Sequence, residues 1–343
     1  MHIPDGYLSP ATAAVMYAAA VPFWYRATQK IKTLISGRSV PLIALFAAFS
    51  FVIMMFNVPL PGGTTGHAVG SVLAAIILGP WAAVLATSVA LIIQALFFGD
   101  GGILSFGANA FNMAIVMPFV GYFFYRLLSG NAAVASSRRV IAGAIAGYIA
   151  INAGALLTSI ELGLQPLLFR DAAGHALYFP YGLEASIPVM MIGHLTVAGG
   201  VEAIATGLIL AWLQRTNPQL MEAFSGTSVA ASAARAPRWV WGGLAALVIL
   251  TPIGLLAPGT AWGEWSRGEL QNLGLSYIPS GFDRWSDLWN APLSGYDLPA
   301  LNNSTGGYIF SAALGVGLVI AAILALGWLL DRVFHRPAVT EEK

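Results

Sequence analysis

The stretch MHIPDGYLSP at the start of the chain brings together three kinds of nitrogen. The Met1 amine, the His2 backbone nitrogen once deprotonated, and the His2 imidazole can close small fused chelate rings around one ion. A second residue as large as histidine opposes excision of the initiator methionine, so the free amine is expected to be that of Met1. Ile3-Pro4-Asp5-Gly6 then suits a tight turn, Pro presetting φ and Gly permitting positive φ. Three nitrogens in a plane leave a fourth position, and His67, just after Gly62-Gly63-Thr64-Thr65-Gly66, can fill it. Such a planar set suits Ni(II), Cu(II) or low-spin Co(II), whereas Zn(II) prefers a tetrahedron. Amide deprotonation argues against Mg(II), Ca(II) and Mn(II). Each part also has a plainer use. A Met-His start occurs by chance, and a helix-start histidine serves equally as a hydrogen-bonded residue in a packed bundle. Matching depth in the fold joins the two.

Composition sets the stage for that depth. Hydrophobic residues make up 57% of 343 positions, charged residues 9%, and mean hydropathy is +0.75. Soluble domains carry roughly 25% charge, so an all-α, polytopic membrane protein is expected. Cysteine is absent, which excludes thiolate metal sites, disulfides and thiol catalysis. The lysines are Lys30, Lys32 and Lys343, and none follows a glycine loop, so there is no P-loop to energise transport from ATP. HExxH and G-x-S-x-G are missing too. No charged segment and no signal-type apolar run precede the turn at the terminus.

Apolar runs near the roughly 20 residues needed to span fall at 8–27, 40–60, 80–98, 104–129, 138–160, 184–214, 239–257 and 307–330. A shorter run covers 67–79, about 20 Å at about 1.5 Å per residue. Loop charge decides whether it crosses. Basic residues cluster at 26–38, 126–139, 215–238 and the carboxyl-terminal tail, leaving only Arg170, Arg267 and Arg284 elsewhere. The positive-inside rule puts all four clusters in the cytoplasm only if 67–79 crosses. About nine transmembrane helices follow, amino terminus outside and carboxyl terminus cytoplasmic. With Gly79-Pro80 near the cytoplasmic face, His67 lies below the outer surface, and non-helical backbone at 59–66 must line a cavity or be buried. A folded-back terminus can reach that depth.

Other intramembrane polar residues are candidates by default. His194 and Glu202 share the 184–214 span, and His194 suits a role orienting His2 or His67 through a ring nitrogen. Asn109 and Asn112, three apart on one helix face, suit support of the site or the stitching of helices. Asp100 sits in a glycine-rich outer turn and could attract cations, with a solvated charge the default. Gly143 and Gly147 form a close-packing G-x-x-x-G. His175 and His335 lie in loops and receive no role.

MHIPDGYLSP resembles the opening of the CbiM/NikM family, substrate-binding membrane components of energy-coupling-factor transporters for cobalt and nickel. Gly62-Gly63-Thr64-Thr65-Gly66-His67, Gln94-Ala95-Leu96-Phe97-Phe98-Gly99-Asp100-Gly101-Gly102, Gly107-Ala108-Asn109-Ala110-Phe111-Asn112-Met113 and Gly193-His194 through Val201-Glu202 match in family order over about 1–215. The resemblance implies that Met1, His2 and the histidine matching His67 bind the ion, and it favours Ni(II) or Co(II) over copper. No catalytic residue and no resident cofactor are implied. The implied partners are a transmembrane coupling subunit, cytoplasmic ATPase subunits and membrane lipid, with no nucleic acid. The implied location is the bacterial inner membrane.

Residues 216–237 are rich in Ala and Ser, as expected of a cytoplasmic linker. Beyond them, 238–343 reads as a two-helix unit with an outer loop at 258–306. It resembles the small accessory subunit of the same transporters, fused in one chain. Ala261-Trp262-Gly263-Glu264-Trp265 and Tyr277-Ile278-Pro279-Ser280-Gly281-Phe282-Asp283 look like a diverged PDGLE segment, departing from it at Ser280, Phe282 and Asp283. Trp262, Trp265, Trp285 and Trp289 suit a layer over the outer mouth, while Glu264, Glu269, Asp283, Asp287 and Asp297 could concentrate cations there, with solvated loop charges the default. A membrane sensor that binds the ion without moving it is the alternative. A metalloenzyme needs an open ligand position, which a closed four-nitrogen plane lacks.

Adding one residue before Met1 moves the amine away from the His2 amide and breaks a chelate ring. Tight Ni(II) or Co(II) binding is expected to vanish in calorimetric titration, while helix content by circular dichroism stays unchanged.

Overall fold

Backbone polar groups cannot be left unsatisfied in a bilayer, so long apolar runs must become helices. The computed structural model describes residues 1–31, 40–218 and 238–334. In it, helices occupy every apolar run: α1 Pro10–Ile31, α2 Val40–Met54, α3 Ser71–Leu78, α4 Pro80–Phe98, α5 Phe106–Ser129, α6 Ser137–Leu168, α7 Leu183–Thr216, α8 Arg238–Leu256 and α9 Ser304–Phe334. Among the described residues six of these, α4 to α9, have both the length and the apolar character to cross a membrane. α2 is apolar but spans 15 residues. The chain is thus a multi-pass, all-α membrane protein. Lys32, Arg38, Arg235, His335, Arg336, Lys343 and the linker beyond Pro218 lie outside the described residues.

Local chemistry explains the start of α1. The Ser9 hydroxyl accepts the Thr12 N–H at 3.0 Å and Pro10 opens the first turn, where its missing N–H costs nothing. The stretch before α3 departs from expectation. The 59–66 segment is a small antiparallel hairpin, β1 Val58–Leu60 with β2 Thr64–Gly66, pairing Val58 with Gly66 and Leu60 with Thr64. His67 is not the first residue of a helix running to Gly79. α3 begins at Ser71, after Gly70 at φ 73°, a backbone setting that releases the helix start from residues 67–70. At about 1.5 Å per residue α3 is only about 12 Å long. All eight of its residues are buried, so protein rather than lipid surrounds it.

α3 is encased by α4, α5 and α6, and α6 packs along both α5 and α7. Gly143 and Gly147 permit the close α6–α7 approach: a Cβ on Gly143 would lie 2.2 Å from the Leu210 side chain. The carboxyl-terminal pair is part of the same packed body. α9 lies along α2, where Gly315 faces the fully buried Phe51 ring and a Cβ would come within 2.0 Å of it. The outer loop between α8 and α9 carries two short helices, Arg267–Asn272 and Ser280–Trp285, the first closed by a Ser266–Glu269 capping box.

Gly315→Leu overpacks the α2–α9 contact. It is expected to cost about 1–3 kcal/mol of stability, read as a lower thermal midpoint in detergent, whereas Gly317→Leu, which meets nothing within 4 Å, should leave the midpoint in place.

Candidate metal centre

An extended terminus can enter a helix bundle only if its backbone groups find partners. Here they do. The Ile3 N–H donates to Asn109 Oδ1 at 2.8 Å, and Asn109 Nδ2 donates back to the Ile3 carbonyl at 3.0 Å. That carbonyl also accepts the Gly102 N–H at 2.9 Å. Asp5 holds the loop that leads into α5, accepting from Ile103 N at 2.9 Å and Ser105 N at 3.1 Å. The approach is so close that a Cβ on Gly102 would lie 2.0 Å from Asp5 Oδ1. Residues 1–8 are fixed further by Tyr7, whose hydroxyl donates to the Trp265 carbonyl at 2.7 Å, and by Gln165, which accepts the Ser9 N–H at 3.0 Å.

The terminus ends against His67. Met1, His2 and His67 are 5%, 3% and 6% exposed, so all three are shielded from bulk water. His67 Nε2 and His2 Nδ1 face each other at 3.2 Å, with ring centroids 5.0 Å apart. His67 Nδ1 is 3.1 Å from the Ala68 carbonyl, which as an acceptor fixes the proton on Nδ1 and leaves Nε2 with its lone pair. Among the described residues there is no group of three His, Cys, Asp or Glu side chains suited to hold an ion.

The remaining candidates hold the frame. Glu202 on α7 accepts from Val69 N at 2.7 Å and from Gly70 N at 3.2 Å, and so carries the irregular 67–70 segment. Asn109 clamps Ile3. Asn112 reaches away from the terminus, donating to Thr158 Oγ1 at 3.1 Å and Glu161 Oε2 at 2.8 Å on α6. His194 turns Nδ1 to the Met190 carbonyl at 2.8 Å in place of the expected ring-nitrogen contact to His2 or His67; it lines a small cleft with Met1 and Leu60. His175 pairs with Asp171 and stacks on Tyr277 outside the site.

Two carboxylates read as solvated loop charges sit at the centre instead. Asp100 Oδ1 is 3.0 Å from His2 Nδ1, and its other oxygen accepts from the Tyr296 hydroxyl at 2.6 Å. Glu264 Oε1 approaches the Met1 amine at 3.6 Å. Burial pushes the Glu264 carboxyl above its ordinary range, opposed by the charge of the Met1 ammonium. Glu264 and Tyr296 both come from the carboxyl-terminal third, so that unit touches the terminus from two directions. Its tryptophans follow: Trp262 and Trp265 pack on Phe179, and Trp289 donates to the Leu96 carbonyl at 2.8 Å. Three π-helical turns, Gln94–Phe98, Ala110–Val116 and His194–Ala198, interrupt the helices that border the site. Such turns cluster at functional sites, and nothing in apolar periodicity marks them.

A multi-pass helical membrane protein with a buried, nitrogen-rich terminus is the class that this fold and site define. Residues 2–220 match the family described as the cobalt uptake substrate-specific transmembrane region, CbiM, and 236–332 match the PDGLE domain. The chain belongs to the CbiM family, whose members are transport components rather than enzymes. It is 51% identical over 337 residues to the fused nickel transport protein NikMN of Rhodobacter capsulatus, covering 94% of this chain and 96% of that one. It is 45% identical over 343 residues to the probable fused nickel transport protein LarMN of Lactiplantibacillus plantarum, covering 98% and 100%. A crystal structure of a truncated transition metal transporter aligns with a TM-score of 0.59 and 58% identity, over 63% of this chain and 99% of that chain.

Asn109→Ala strands the Ile3 N–H and removes one of the two donors to its carbonyl. Hydrogen–deuterium exchange of residues 2–6 is expected to accelerate strongly, while exchange within α6 stays unchanged.

Proposed function

We propose that this chain captures Ni(II) or Co(II) on the outer side of a bacterial inner membrane, as the high-affinity substrate-binding component of an energy-coupling-factor transporter. The ligands are the Met1 amine, the His2 amide and imidazole nitrogens, and His67 Nε2. One observation carries the reading: two buried imidazole nitrogens, His2 Nδ1 and His67 Nε2, converge at 3.2 Å beside a chain-terminal amine. Four nitrogens in a plane suit Ni(II) and low-spin Co(II). The fused relatives named above both carry nickel in their names, which favours Ni(II) as the first ion to test.

The polar residues around this set then have definite work. Ligands must be deprotonated to bind, so loading the ion releases protons. Asp100 is placed to accept the His2 Nδ1 proton in the empty state and to offset the ion's charge in the loaded one. Glu264, its carboxylate 3.6 Å from the Met1 amine, is placed to offset positive charge at that amine and at the ion. The chain has no P-loop, so the energy comes from ATPase subunits on other chains, joined through a transmembrane coupling subunit. In this reading 1–215 is the ion-binding unit, 216–237 the cytoplasmic link and 238–343 the accessory unit, with nine crossings and the amino terminus outside.

His67→Ala removes one nitrogen and leaves three. Its affinity for Ni(II), read by calorimetric titration of the purified full chain, should fall by more than the roughly 10–100-fold typical of a supporting residue. Glu264→Gln, which keeps shape and loses charge, should fall within that supporting range. Unchanged affinity in His67→Ala would remove it from the ligand set. Cellular nickel accumulation should require co-expression of both a coupling subunit and ATPases.

A further inference from the structure

An apolar groove of about 400 Å³ runs between α2, the last turns of α7 and the first turns of α8. Leu45, Phe49, Leu208, Trp212, Leu244 and Leu247 are among its walls, and no residue of the metal centre lines it. Along α2 it extends from Leu42 to Ile53. At about 1.5 Å per residue that is about 16 Å, close to half of a roughly 30 Å hydrocarbon core. The groove is therefore one leaflet deep. At one end the Trp212 and Trp239 rings meet at 4.1 Å, crossed at 78°. Arg215 lies one turn beyond Trp212 and Arg238 directly precedes Trp239, both exposed. The same arginines belong to the basic cluster that marks the cytoplasmic face.

We propose that this groove is a binding site for an anionic phospholipid, one acyl chain lying along α2 and the headgroup phosphate held between Arg215 and Arg238. The walls are almost wholly apolar, which suits hydrocarbon and no polar solute. Tryptophan pairs sit at headgroup level in membrane proteins, and basic pockets between spans on the cytoplasmic side take anionic headgroups. The lipid fills the seam between α2, α7 and α8, so it joins the metal-binding core to α8. Gly243 opens the wall: a Cβ there would meet nothing within 4 Å.

Native mass spectrometry of the full chain, released from nanodiscs of equal phosphatidylglycerol and phosphatidylcholine, tests the site without reference to metal binding. The wild-type protein should retain one phosphatidylglycerol in preference to phosphatidylcholine. Arg215→Ala/Arg238→Ala should lower that retention by roughly tenfold or more. Gly243→Leu, a change favourable to helix propensity, should fill the groove and abolish retention with the thermal midpoint maintained. Equal retention of both lipids, or of phosphatidylglycerol by the double-arginine variant, overturns the headgroup assignment. Undiminished retention by Gly243→Leu overturns the groove itself, and leaves it free for a helix of another subunit.

Discussion

Everything in the site depends on burying a chain terminus that has no secondary structure of its own. Backbone groups inside protein need partners as much as those in lipid do. The terminus meets this demand through Asn109, which donates to and accepts from Ile3, and through Gly101-Gly102, whose missing Cβ atoms leave room for the approach. Asp5 completes the arrangement by holding Ile103 and Ser105, in the loop that leads into the helix carrying Asn109. The turn and its support thus hold each other: the terminus is a strut of α5, and α5 is the anchor of the terminus.

The carboxyl-terminal unit adds a second layer of restraint. Trp265 accepts from Tyr7, Glu264 faces the Met1 amine, and Tyr296 fixes Asp100 beside His2. Gly6, at φ 91°, packs so closely on Ser280–Trp285 that a Cβ would lie 2.9 Å from the Phe282 carbonyl. These contacts come from both ends of the outer loop, while α9 secures that loop to α2. A unit readable as an appendage in sequence is, in the fold, part of the enclosure around residues 1 and 2.

What was legible in the sequence was what is local. Apolar runs force helices wherever they occur, and Met1-His2 carries by covalent structure alone the amine, amide and imidazole nitrogens that the proposed chelate uses. Asn109 and Glu202 were visible as polar residues in apolar surroundings, though not what they hold: each satisfies backbone N–H groups of a distant irregular segment. Asp100 and Glu264 were legible only as loop charges able to attract cations, and not by what they touch, because a carboxylate in a Gly- or Trp-rich loop is solvated by default. Only tertiary approach brings one to His2 and the other to Met1. The start of α3 was misplaced for a related reason. Residues 67–70 are apolar enough to continue a helix, but Gly70 and the Glu202 carboxylate stabilise an irregular path instead.

The two halves of the proposed chelate hang from different helices. Met1 and His2 are fixed through Ile3 to Asn109 on α5, whereas His67 is fixed through Val69 and Gly70 to Glu202 on α7. α6 packs against both and separates them. Three of the four proposed nitrogens belong to one fused chelate and must come off together, so an ion held there would leave slowly while the geometry stays intact. Displacement of α7 against α5 changes that geometry without breaking either anchor, because each hydrogen-bond set travels with its own helix. It would draw one nitrogen away from three. The small size of α3, enclosed on all sides and joined to His67 by only three residues, makes it the natural element to transmit such a shift. The same construction thus gives tight enclosure at rest and a way for motion of the bundle to open it.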